Sequence, residues 1–100
     1  MTARKLRRSS GNVFRDLGFS NEDSANLRIR SELMARLARL IEDRGLTQAE
    51  AGKIFGVSQP RISDLVRGKI DVFSIDALVA MLSKAGLQVT VTARSRKRVA

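Results

Sequence analysis

The chain is 100 residues long, with nineteen lysines and arginines against ten acids, a net charge of +9, and neither cysteine nor histidine. A length of this order makes one small domain around a single core, and the two missing residue types exclude zinc fingers, haem ligation, thiol chemistry and imidazole acid-base catalysis. Carboxylates and lysines remain, and no nucleophile, base and orienting group can be assembled from them, so neither an enzyme nor a cofactor or metal site is expected.

The charge is concentrated at the ends. Residues 1–11 read as a basic tail with Arg4, Lys5, Arg7 and Arg8, and residues 94–100 as a second with Arg94, Arg96, Lys97 and Arg98, neither containing an acid. Between residues 9 and 93 eleven basic side chains face ten acidic ones, so any basic surface on the folded part, residues 12–93, must come from arrangement. Such tails are either solvated ends or arms laid along phosphates, and a small basic domain favours the arms. The longest uninterrupted apolar run is the six residues 77–82, far short of a membrane span. The basic N-terminus leads into Ser9-Ser10-Gly11 rather than a secretory apolar stretch, and a cytoplasmic location is expected.

After the first tail, Val13, Phe14, Leu17 and Phe19 form an apolar cluster, either core packing over the next helix or a patch for a partner. Ser20 is a candidate N-cap, with Glu22 and Asp23 in a first turn where carboxylates offset the helix dipole. From there to Arg44, Leu27, Met34, Leu37 and Ile41 make one apolar stripe widened by Leu33 and Leu40, which predicts a long amphipathic helix closed by Gly45. Residues 47–69, TQAEAGKIFGVSQPRISDLVRGK, then encode two short helices and a tight turn. Thr47 and Glu50 are spaced as a reciprocal capping box. Gly56 supplies a positive φ for the turn, Ser58 caps the second helix, Pro60 sits in its first turn and Gly68 stands past its end. Gly52 is small enough to let the second helix cross closely, at an expected cost to the first helix of ~1 kcal/mol relative to alanine. This spacing predicts a helix-turn-helix.

Ser74 caps a further helix with Ile75, Leu78, Val79 and Leu82, ended by Gly86. Leu87, Val89 and Val91 alternate with Gln88, Thr90 and Thr92, a strand pattern with no hairpin partner elsewhere in the chain. A lone strand leaves its edges unpaired. Pairing with the same strand of a second subunit about a two-fold axis is the economical solution, which makes Leu87, Val89 and Val91 candidate dimer contacts. The fold expected is all-α, a small helix-turn-helix domain with one short C-terminal β-strand.

On the second helix of the pair, Ile62, Leu65 and Val66 gather on the core side and leave Pro60, Ser63, Asp64 and Arg67 opposite, flanked by Gln59 and Arg61. The N-terminal end of such a helix enters the major groove, with Ser58 at its entry. Gln59 has the geometry to bridge N6 and N7 of adenine, and Arg61 to fork onto O6 and N7 of guanine. Pro60 offers an apolar contact to a thymine methyl, while Asp64 either accepts from cytosine N4 or, as expected here, pairs with Arg61 or Arg67. Gln48, at the start of the first helix, sits where amides and dipole bind phosphate. Lys53 and Lys69 are candidate phosphate contacts, or simply solvated.

The segments Thr47-Gln48-Ala49-Glu50-Ala51, Gly56 to Leu65 and Arg67-Gly68-Lys69 resemble the Cro/C1-type helix-turn-helix regulators, the lambda-repressor-like domains. Asn12 to Phe19, Phe73 to Leu78 and Gly86 to Val91 are similar, within that family, to the HigA-like antitoxins. The resemblance implies a repressor that binds a double-stranded DNA operator as a homodimer and neutralises a RelE- or HigB-like ribonuclease toxin. Its partner surface would include Val13, Phe14, Asp16 and Leu17. Two other readings stay open: a stand-alone or phage-type regulator without a toxin, and an RNA-binding module using the same arms. Against the second, the only aromatic residues are four phenylalanines placed in apolar patterns, whereas specific RNA recognition leans on aromatic stacking.

Overall fold

The computed structural model describes Gly18 and residues 20–95. Their elements run α1 (Asn21–Arg44), α2 (Gln48–Phe55), α3 (Gln59–Val66), a single 3-10 turn (Ile70–Val72) and α4 (Ile75–Lys84).

Every α-helix starts where a hydroxyl satisfies an orphan amide. Ser20 Oγ accepts from the Asp23 amide at 3.1 Å and Ser74 Oγ from the Ala77 amide at 3.1 Å. At α2 the box is complete, the Thr47 amide donating to Glu50 Oε1 at 2.8 Å and the Glu50 amide to Thr47 Oγ1 at 3.1 Å. Each such cap stabilises its helix by about 1 kcal/mol. At the other end of α1, Gly45 adopts φ 62°, its amide donating to the Glu42 carbonyl and the Leu46 amide to that of Ile41. The chain is thereby reversed within two residues and α2 can begin at once.

Packing follows from the stripes. Helix α1 lies chiefly against α4, and α2 lies in the angle between α3 and α4. Met34, Leu37 and Leu40 of α1 meet Ala51 and Phe55 of α2, Ile62 and Leu65 of α3, and Leu78, Met81 and Leu82 of α4 in one core, with Phe73 closing it below the 3-10 turn. Leu33 and Ile41, also in the predicted stripe, are half-buried at its margin. The two long ends are tied by Arg44, whose Nη2 donates to the Ala85 carbonyl at 3.4 Å.

Two expectations are corrected. No strand occurs among the described residues: those from Leu87 to Arg94 run without regular structure. A strand exists by its ladder of hydrogen bonds, and the single chain offers none to pair with. Leu87 and Val89 instead pack half-buried on the core, while Val91 is 84% exposed. The second correction concerns Val66. It is 43% exposed rather than in the core, because α1 presents Ala35 and Ala38 opposite it and these leave a groove rather than a wall.

Candidate nucleic-acid interface

The turn between α2 and α3 depends on two glycines used in different ways. Gly56 takes φ 75°, and both its amide and that of Val57 return to the Gly52 carbonyl. Gly52 lacks a side chain for a reason of space: a Cβ there would stand 2.7 Å from the Val57 carbonyl oxygen. This approach holds α3 against α2. The expected cost of glycine over alanine in α2 is therefore outweighed, since alanine would force backbone apart.

Helix α3 is presented as its sequence dictates. Ser58 Oγ accepts from the Arg61 amide at 3.4 Å, Pro60 falls in the first turn where no amide is needed, and Gly68 with φ 76° turns the chain away past Arg67. Ile62 and Leu65 are buried beneath it. Ser58, Gln59, Pro60 and Arg67 are exposed and Ser63 is half-buried between them, so these predicted contacts share one outward surface.

Arg61 is exposed as well, but its side chain is engaged. Its guanidinium turns back on the 3-10 turn, Nη1 donating to the Val72 carbonyl at 2.8 Å, and lies over the Phe73 ring with 5.4 Å to the centroid. Asp64 pairs with neither arginine, contrary to expectation; its carboxylate is 3.8 Å from Lys69 Nζ, across the reversal that follows α3. Lys69 is consequently shared between that carboxylate and solvent. Gln48 begins α2 half-buried, beside amides of which two are already engaged in the Thr47–Glu50 box. The Glu50 carboxylate offsets part of the helix dipole there and weakens this end as an anion site.

Two cations near the interface were not singled out from sequence. Lys84 of α4 crosses the turn, its Nζ 2.7 Å from where a Cβ on Gly56 would stand. Arg30 of α1 donates from Nη1 to the carbonyls of Ile70 at 3.1 Å and Phe73 at 3.4 Å, and from Nε to Asn26 Oδ1 at 2.7 Å. The Asn26 contact is local, four residues away on the same helix, but the contacts that bring Lys84 to Gly56 and Arg30 to the Ile70–Phe73 turn join residues distant in sequence and leave no local signal. Val13, Phe14, Asp16 and Leu17 lie outside the described residues, as do most of both basic tails.

Among the described residues no three acidic side chains converge on a metal-sized site, and no helix is long and apolar enough to cross a membrane. No curated protein matches the chain. A helix-turn-helix domain family matches residues 13–94, a span that contains every described helix. With the capped α2, the Gly52–Gly56 turn and the outward face of α3, this places the chain in the Cro/C1-type helix-turn-helix family of DNA-binding domains.

Proposed function

We propose that the protein is a sequence-specific transcriptional repressor acting as a dimer on a two-fold operator, and within that class the antitoxin of a toxin-antitoxin operon. The observation that carries the first part is the outward face of α3, where Gln59, Pro60 and Arg67 are exposed and Ser63 lies half-buried among them. Their amide, hydroxyl and guanidinium groups match the donors and acceptors of base edges in the major groove. The basic tails supply sequence-independent attraction to phosphate.

Among the described residues, the aromatic side chains favour DNA over RNA. Phe55 and Phe73 are 1% and 2% exposed, so neither offers a face for a splayed base. No catalytic role is assigned.

The antitoxin reading rests on the likeness of residues 12–19, 73–78 and 86–91 to the HigA-like branch, and the dimer on the alternating Leu87, Val89 and Val91. A ribonuclease toxin of the RelE or HigB kind would meet the apolar segment around Phe14 and the acids Asp16, Glu22 and Asp23, which complement a basic, RNA-binding surface. Co-purification from the native host tests this partner. Recovery of a small basic ribonuclease supports the antitoxin, and recovery of the protein alone with its DNA supports the stand-alone regulator.

A further inference from the structure

We infer that Arg61 is a positioning residue, bracing the DNA-reading helix α3 against the Ile70–Phe73 turn, and that base selection is left to Gln59, Ser63 and Arg67. This rests on the DNA-binding reading above and adds to it a division of labour along α3.

The helix geometry comes first. Successive residues advance about 100°, so with Ile62 pointing inward Arg61 lies on the Leu65 flank, whereas Pro60 and Arg67 lie nearly opposite Ile62. That flank faces the 3-10 turn. Arg61 spans it with two interactions of different kinds, the 2.8 Å hydrogen bond to the Val72 carbonyl and the 5.4 Å approach to the Phe73 ring. A planar guanidinium serves both at once, which a lysine ammonium cannot.

The turn is also held from its other side. Arg30 of α1 takes the Ile70 and Phe73 carbonyls, so two guanidinium groups from two helices engage three carbonyls of one four-residue turn. A short turn of this kind has poor internal hydrogen bonding of its own: the Val72 and Phe73 amides reach their acceptors at 3.3 and 3.4 Å. Its geometry is fixed by the arginines. Phe73 beneath it is 2% exposed and belongs to the core, so the brace connects α3 to α1 through a rigid point. The consequence is a set angle between the reading helix and the rest of the domain. Donation through Nη1 and the approach to Phe73 hold the exposed Arg61 guanidinium against the 3-10 turn, so that reaching a guanine edge would mean giving up one or both of these contacts.

A brace and a reader fail differently. Losing a brace weakens binding to every duplex by one factor, because α3 docks less precisely whatever the bases; losing a reader flattens preference at one position.

The test uses the full chain, a duplex selected from a random pool, and the set of its single-base variants. Arg61→Ala should weaken all of them by a common factor of ~10, the scale of one charge-assisted hydrogen bond, with the pattern of base preference unchanged. Phe73→Leu, which keeps an apolar core residue and removes the ring, should act in the same uniform way. The double variant should be no worse than Arg61→Ala alone, and Arg61→Lys should recover part of the loss.

The inference is overturned if Arg61→Ala erases preference at one operator position while Phe73→Leu leaves it intact, or if both variants bind as the wild type does. Should the wild-type chain select no duplex, the DNA-binding reading fails separately. The brace is then read by amide hydrogen exchange at Val72 and Phe73, which Arg61→Ala must accelerate and which unchanged exchange would refute.

Discussion

Gly52 and Val57 approach so closely that a methyl group on the glycine would lie 2.7 Å from the Val57 carbonyl oxygen. The proximity fixes how α3 leaves the turn, and it reverses the usual expectation for glycine inside a helix. Replacing an unstrained helical glycine by alanine ordinarily stabilises. Here Gly52→Ala should destabilise by about 1–3 kcal/mol, the range for overpacking against an unyielding neighbour. Thermal unfolding followed by circular dichroism checks it, and an unchanged or raised midpoint would show that the turn relaxes freely.

The tails should contribute affinity without specificity. Removing residues 94–100 takes away four positive charges and no acid. Binding to operator and scrambled duplex should fall in parallel, and the slope of log K against log salt should shrink by ~0.9 for each phosphate that is no longer neutralised. Titrations at several salt concentrations provide the measurement. Unequal losses on the two duplexes would give the tail a role in reading sequence.

Dimerisation is tested best at Val91. Val89 packs on the core of its own chain, so a proline there would confuse folding with association, whereas Val91 is 84% exposed. Val91→Pro removes a backbone amide that pairing between two subunits would need, and should give monomers by light scattering while helicity is retained. A variant that remains dimeric moves the interface elsewhere, with the face of α1 next in line.

How far the sequence reveals this architecture depends on distance along the chain. The caps at Ser20, Thr47, Ser58 and Ser74 are legible because donor and acceptor stand three residues apart, and all four occur as read. Gly52 is legible for the same reason, its neighbour being Val57. Val66 misleads because the helical wheel places it beside Ile62, and only the small Ala35 and Ala38 facing it decide its exposure. The Arg61 brace has no sequence signature at all. Its acceptor is a backbone carbonyl eleven residues on, and the second arginine on that turn is 40 residues from Ile70. The C-terminal alternation is visible, but alternation does not specify a partner strand.

The toxin interaction should separate from DNA binding. Phe14→Ala combined with Asp16→Ala is expected to abolish growth rescue in cells expressing the toxin while leaving operator affinity unchanged. A double variant with wild-type melting temperature that still neutralises the toxin would place the site elsewhere. One that unfolds would make the segment part of the core.

The central claim is that the outward face of α3 reads base sequence on a two-fold DNA site. Selection of duplexes from a random pool, followed by competition binding with Gln59→Ala, tests it most directly. The selected sites should contain two half-sites about one helical turn, ~34 Å, or a multiple apart, and Gln59→Ala should lose ~1–3 kcal/mol of discrimination at one symmetric pair of positions while scrambled DNA binds as before. An unenriched pool, or a Gln59→Ala variant that weakens selected and scrambled duplexes equally, would contradict the account.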